Sequence, residues 1–157
     1  MIEVRKARLD DASLISELNA DVQNLHAKHI PQIFKPALPE TFPSEFVTSL
    51  LAQPENIILI VQVDGRPAGY LFAEIRHLEE NSFRYAHDQI HIHHISVQPD
   101  DQGQGCGTSL IAALKNMAAN LSIHMITLDT WGFNTQAQTF FASQGFEVFN
   151  LRYWLIS

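Results

Sequence analysis

Two neighbouring stretches of this chain combine residue types and spacings that can do chemistry. The first is a β-prone run, Gln89 to Val97, with three histidines, His91, His93 and His94. Histidine, with an ordinary pKa near 6.5, is the side chain best suited to take a proton from a substrate at neutral pH, directly or through a water. Three on one strand are equally readable as half-buried structural residues. Two at i and i+2 could begin a metal site, but no third or fourth ligand is evident. The second stretch is Gln102-Gly103-Gln104-Gly105-Cys106-Gly107-Thr108, followed by a helical pattern to Ala119. A glycine-rich turn between a strand and a helix aims backbone N–H groups and the helix dipole at an anion such as a phosphate. A dinucleotide fingerprint would place its third glycine one residue later, and a P-loop needs a lysine where Gly107 stands. A tight turn with no ligand is the alternative reading.

The histidine strand changes phase in the middle. Ile90 and Ile92 share one face and Ile95 and Val97 share one face, but the two pairs are out of step by one residue. One extra residue at His93-His94, a β-bulge, would bring all four to the same buried face. Such a bulge frees a backbone N–H and splays the strand from its neighbour. It also turns His91, Ser96 and one of His93 or His94 to the opposite side.

The elements that must position these residues can be read from periodicity. Ile2 to Ala7 alternates as a strand; Leu14, Ile15, Leu18, Val22 and Leu25 form a helical stripe, with Asp10 placed to cap it. His26 to Pro43 holds four prolines among apolar residues and reads as an ordered loop, a candidate wall of a pocket. A short helix starting at Thr41 or Ser44 carries Phe46, Val47, Leu50 and Leu51. Ile57 to Val63 and Ala68 to Arg76 flank Asp64-Gly65, a hairpin signal. His77 to Asp88 reads as a solvated loop and second wall. After the glycine turn and its helix come a strand from Met125 to Thr130, a helix from Asn134 to Gln144 closed by Gly145, and a last β-run from Phe146 to Ile156. The fold class is α/β of the α+β kind: a mixed, mostly antiparallel central sheet flanked by about four helices, with one parallel, splayed strand pair.

The 157 residues, 46% hydrophobic, fit one domain spanning 1–157. No apolar run approaches the roughly 20 residues of a membrane span, and the single cysteine, Cys106, can form no internal disulfide, so a cytoplasmic protein without a membrane partner is expected. A formal charge of −7 argues against nucleic acid as a partner. In the final β-run Phe149, Leu151, Tyr153, Trp154 and Leu155 offer more apolar surface than one face needs, which suits a homodimer.

Val97-Gln98-Pro99 followed by Gln102-x-x-Gly105-x-Gly107 resembles motif A of the GNAT superfamily of acyl-CoA-dependent N-acyltransferases. Asn134-x-x-Ala137 with Phe140-Phe141 and Gly145-Phe146 is similar to that family's motif B, at the proper separation. The resemblance implies an N-acetyltransferase that moves acetyl from acetyl-CoA, its co-substrate, to a primary amine by direct attack in a ternary complex. Ile95 and Val97 would pair with the pantetheine arm, and Gln102, Gly103, Gln104, Gly105, Cys106, Gly107 and Thr108 would cradle the pyrophosphate. Asn134, Ala137 and Phe141 would contact the rest of the cofactor.

In that reading His91, His93 or His94 accepts the amine proton, and Glu74 on the adjacent strand is a further base or an anchor for the cationic amine; as a solvated acid it would be unremarkable. A cysteine nucleophile at Cys106 and an acyl chain longer than acetyl are further options. No metal is expected. The family's motif B tyrosine, often assigned as the acid for the departing thiolate, falls at Phe141, with Tyr70 and Tyr153 as substitute donors. The alternative is a non-catalytic acyl-CoA-binding or sensor module.

Overall fold

The computed structural model describes all 157 residues. Its centre is a five-stranded sheet in the order β1-β2-β3-β4-β5, made of β1 (Ile2–Lys6), β2 (Asn56–Val63), β3 (Arg66–Leu78), β4 (His87–Val97) and β5 (Ile126–Leu128). All neighbours are antiparallel except β4 and β5, which the helix α3 (Cys106–Asn120) joins as a parallel pair. The helices α1 (Ala12–His29) and α2 (Ser44–Leu51) precede the hairpin, and α4 (Thr135–Ser143) follows β5. The expected mixed, mostly antiparallel architecture with four helices is the one observed.

Each face of the sheet has its own core. Leu59, Leu71, Ala73, Ile90 and Ile92 pack with Cys106, Leu110, Ile111 and Leu114 of α3. On the opposite face Ile58, Ile60, Tyr70 and Phe72 pack with Ile15, Leu18, Val47 and Leu50 of α1 and α2. Because β2 is covered on both sides, its sequence is a continuous apolar run rather than an alternation. Leu110, Ile111 and Leu114 are at most 1% exposed, and each such side chain stabilises the fold by roughly 1.5–3 kcal/mol.

Several sequence expectations need correction. Helix α1 runs to His29, so His26 belongs to the helix and not to the loop. Asp10 caps nothing; Asp11 is the N-cap, and its carboxylate turns back to accept from both Arg5 amino groups and the Arg8 N–H. Strands β3 and β4 extend to Leu78 and from His87, where His77 Nδ1 and Asp88 Oδ1 lie 2.6 Å apart, so only 79–86 is a loop. Strand β5 is three residues long.

Helix α4 ends as read, with Gly145 at φ +93°. Gly145 N–H bonds Ala142 O and Phe146 N–H bonds Phe141 O, the paired closure of a left-handed helix stop. Beyond it the expected strand is absent: residues 147–157 form no element, and each is exposed.

Candidate active site

The bulge falls where the phase change in β4 puts it. Phe72 pairs with His94 and Ala73 with Ile92, so His93 has no partner on β3. On the other side the parallel ladder ends at Ile92 and Leu128. The bend of a bulged strand and the end of the ladder coincide, and past them β4 and β5 part. The opening is a cleft of about 350 Å³. Its walls are His91 to Ile95 of β4, Leu128 at the end of β5 with Asp129 to Trp131 after it, Asn134, Ala137 and Phe141 at α4, and Asn19, Val22, Gln23 and His26 of α1 with Phe34. Ile95 and Val97 pack toward the α3 core together with Ile90 and Ile92, the common face that one extra residue produces.

The three histidines differ in setting. The ring of His94 is mostly buried beside Tyr70, Phe42 and Phe72, and burial pushes its pKa down to about 4. His91 places Nδ1 2.8 Å from Thr127 Oγ1, and burial lowers its pKa too. His93 stacks on Phe72 at 4.8 Å and puts Nε2 3.1 Å from Glu74 Oε1. Glu74 also accepts from Arg76 Nε at 2.8 Å, and Arg76 first, then His93, hold its carboxyl below the usual carboxylate range. Glu74 is therefore ionised at neutral pH. It accepts the His93 Nε2–H, which leaves the lone pair on Nδ1.

The glycine loop leads into α3 with Gly105 as N-cap at φ +99°, a conformation costly for any residue with a Cβ. Ser109 N–H makes the first helical bond, to Gly105 O, so the N–H groups of Cys106, Gly107 and Thr108 have no acceptor within the helix. No side chain caps them. The loop is pinned at its start by Asp101, 2% exposed, which takes a bidentate pair from Arg66 at 2.7 and 2.9 Å. Gln102 Nε2 bonds Val97 O at 3.0 Å and Gln104 Nε2 bonds Asp100 O at 3.0 Å, fixing the loop on itself.

Three residues of the loop are fixed by the protein's own packing and hydrogen bonds. The Cys106 thiol is 1% exposed in the α3 core and burial raises its pKa, which removes it as a nucleophile. Thr108 Oγ1 accepts from Gln144 Nε2 at 3.1 Å. Gly107 lies against α4: a Cβ there would sit 2.9 Å from Phe140 Cζ.

Asn134 is the N-cap of α4; its Oδ1 accepts from Ala137 N–H at 3.1 Å, leaving its amide N–H groups to the cleft. Phe141 is 7% exposed, packed against Phe140 and Phe146. Neither substitute donor reaches the cleft: Tyr70 is fully buried on the α1 side, and Tyr153 is 88% exposed in the C-terminal segment.

The expected wall from the 26–43 segment is present through His26 and Phe34, but the aromatic stack that ties it to the β5–α4 connection was not read from the sequence. Phe34 meets Trp131 and His26 at 5.0 Å, and Phe133 stacks on His29 at 4.3 Å, joining α1 to the β5–α4 connection. The i, i+3 spacing of His26 and His29 was its available signal, hidden by the assignment of His26 to a loop. The segment from His77 to Asp88 contributes nothing to the cleft. No group of three or more His, Cys, Asp or Glu side chains is arranged to hold a metal ion, and no helix is long and apolar enough to cross a membrane.

Comparison with known proteins follows the same lines. Residues 16–146 match the sequence model of the Acetyltransferase (GNAT) family. No curated protein matches the chain. Among solved structures, a tetramutant of the BH1408 protein of Bacillus halodurans is similar at TM-score 0.92 and 19% identity, over 99% of each chain. AAC(6')-Iy, in complex with a bisubstrate analog, CoA-S-monomethyl-acetylneamine, is similar at TM-score 0.78 and 19% identity, over 100% of this chain and 98% of that one. The aminoglycoside acetyltransferase meta-AAC0020 from an uncultured soil metagenomic sample, in complex with sisomicin, is similar at 0.69 and 16%, over 99% and 96%. At these identities the structures share the fold.

Proposed function

The chain belongs to the GNAT family of acetyltransferases, and from that premise we propose that it transfers acetyl from acetyl-CoA to a primary amine by direct attack within a ternary complex. The observation that carries this reading is the coincidence at His93: the unpaired backbone of the bulge, the end of the β4–β5 ladder and an imidazole tied to Glu74 meet at one point of the cleft.

The donor side follows from the free groups. The N–H groups of the 102–108 loop and the first turn of α3 receive the pyrophosphate; that loop contains no lysine or arginine, so binding rests on backbone dipoles. The exposed edge of β4 at Ile95 and Val97 aligns the pantetheine, and the Asn134 amide donates to it. The bulge N–H points its dipole at the thioester carbonyl, a contribution typically worth roughly 3 kcal/mol when charge develops on that oxygen.

The proton is the next difficulty. A primary amine with pKa near 10 is almost wholly protonated at neutral pH, and freeing it costs about 4 kcal/mol. His94 and His91 are neutral but weakened as bases by burial. His93 keeps an Nδ1 lone pair while Glu74 stabilises the imidazolium that forms, so it is the base. The amine nitrogen then bonds the acetyl carbon; the tetrahedral intermediate releases its second N–H proton to solvent as the C–S bond breaks, and CoA departs as thiolate while His93 holds the first proton.

The acceptor end is walled by Phe34, Trp131 and His26, with Asp129 the one carboxylate lining it. One carboxylate beside aromatic rings suits a monoamine with a flat or apolar body better than a polycation. The decisive experiment is calorimetry of acetyl-CoA against the protein, with free CoA and NAD as controls, followed by thiol release over arylalkylamines, polyamines and aminoglycosides. CoA-selective binding with thiol release on a monoamine supports the reading. Binding without turnover on any amine replaces it with an acyl-CoA sensor, the alternative that Phe141 favours.

A further inference from the structure

The cleft holds a buried polar chain that the acetyl-transfer steps leave unused. Asn19 of α1, 6% exposed, donates a side-chain N–H to the Tyr70 hydroxyl at 2.9 Å, and that hydroxyl, fully buried, lies 3.0 Å from His94 Nδ1. Each end of the chain has one atom left over. The Tyr70 proton occupies the lone pair of His94 Nδ1, so the imidazole hydrogen sits on Nε2, which has no partner in the protein; Asn19 Oδ1 has none either. No side-chain nitrogen or oxygen that is sealed from solvent lacks a partner, so both atoms are open, and both residues line the cleft. A donor and an acceptor, tied together through one buried hydroxyl, thus face the same space.

The chain is uncharged. Burial holds His94 neutral, with a pKa of about 4, and raises that of the Tyr70 phenol. Phe42 and Phe72 pack on the His94 ring at 5.3 and 5.6 Å, so a charged group brought here would be desolvated without a counter-ion. A carboxylate could only accept at this place and an ammonium could only donate. A hydroxyl does both, accepting from Nε2–H and donating to Oδ1. His93 and His94 are consecutive and both rings lie against Phe72, which puts that hydroxyl close to the nitrogen that His93 deprotonates. We propose that His94 and Asn19 select the acceptor, an amino alcohol whose hydroxyl, on the carbon next to the one bearing the amine, binds between His94 Nε2 and Asn19 Oδ1. Its role as acceptor rests on the acetyl-transfer reading, while the hydroxyl site does not.

The test is a matched trio of amines: phenylethylamine, its β-hydroxy form, and its β-methoxy form, which can accept a hydrogen bond but not donate one. Binding is measured by calorimetry on the full chain with and without CoA, and turnover separately by thiol release from acetyl-CoA. The β-hydroxy amine should bind at least about tenfold more tightly than phenylethylamine, because a site built for a hydroxyl leaves its own polar groups unpaired with the analogue that lacks it. The methoxy amine should fall below the hydroxy amine, since nothing then donates to Asn19 Oδ1. In Asn19→Leu the hydroxyl preference should shrink to about threefold, with one of two hydrogen bonds gone; the ratio is taken within one protein, so a general weakening cancels. In the wild type the His94 Nε2 nitrogen shift should move with the hydroxy amine and stay in place with phenylethylamine. Equal wild-type affinity for the two amines, no binding of either, or an undiminished ratio in Asn19→Leu would each overturn the proposal. Hydroxyl-selective binding without thiol release would support the site and overturn the acetyl-transfer reading instead.

Discussion

The hydroxyl of Tyr70 lies 3.0 Å from Nδ1 of His94 and receives the Asn19 amide, 2.9 Å away, on its other side. With Asn19 donating, the hydroxyl proton goes to the remaining acceptor, His94 Nδ1. The imidazole is thereby held neutral with its hydrogen on Nε2. Tyr70→Phe leaves both Nδ1 and the Asn19 N–H unpaired in a buried place and should destabilise the protein by about 1–3 kcal/mol. Nitrogen chemical shifts of His94 should report a mixed tautomer in the variant. An unaltered spectrum would mean that something other than Tyr70 sets the proton.

Burial of His94 also makes stability depend on pH. Its pKa is about 4 in the folded protein and about 6.5 in the unfolded chain, so between these values the unfolded state binds more protons. Stability should be complete above pH 6.5 and fall as pH drops through the window to 4, by about 3 kcal/mol from this group. His91 acts in the same direction. Urea denaturation of His94→Asn across that range should show a clearly flatter pH dependence. A slope equal to the wild type's would place the effect elsewhere.

If His93 is the base and Glu74 its orienting partner, the two substitutions should differ in kind. His93→Gln should lower kcat about 10²–10⁴-fold at pH 7, with the loss shrinking as pH rises and the free amine becomes abundant. Glu74→Gln should lower kcat with little change in KM for acetyl-CoA, because the imidazolium that forms in the transition state loses its carboxylate. Stopped assays of thiol release over pH 6–9.5 check both. A Glu74→Gln profile superimposable on the wild type would reduce Glu74 to a solvated acid.

The order of elements along the chain and the bulge were legible because both are written in local periodicity. The one-residue slip between Ile92 and Ile95 could be repaired only by an insertion at His93-His94. The roles of the histidines were not legible, because they depend on what lies across the sheet: Glu74 reaches His93 and Tyr70 reaches His94 from β3, and Asn19 reaches Tyr70 from α1. Gly107 likewise looks like a member of an anion loop until Phe140 is seen against it. The C-terminal run has every mark of a strand and no partner within the chain, which is a statement about the surroundings that a sequence pattern does not contain.

The two inner glycines of the loop should separate under substitution. Gly107→Ala drives a methyl into Phe140, and displacing that ring should cost about 1–3 kcal/mol. For a chain of this size that lowers Tm by about 2–4 °C per kcal/mol. Gly105→Ala has room for the methyl but not the dihedral, at φ +99°. It should move the first-turn N–H groups and weaken acetyl-CoA at least tenfold in calorimetry. Equal acetyl-CoA affinity in the Gly105 variant would remove the loop from the donor site.

Phe141 offers the sharpest test of how the thiolate leaves. Its ring lines the cleft from α4 while its other side packs on Phe140 and Phe146. A hydroxyl at its tip either emerges beside the thioester or is buried without a partner, and the two outcomes are measurable. In the first case Phe141→Tyr gains an acid near the departing sulfur. Because a thiol of pKa about 8.5 leaves without obligatory protonation, the gain in kcat should be about tenfold rather than the 10²–10⁴ that a reluctant leaving group would show. In the second case kcat is unchanged and the melting temperature falls, since an unsatisfied hydroxyl costs about 1–3 kcal/mol. A raised kcat at unchanged stability therefore assigns the missing acid to this position. An unchanged or lower kcat means that water already protonates the thiolate, and that the phenylalanine is no handicap to the enzyme.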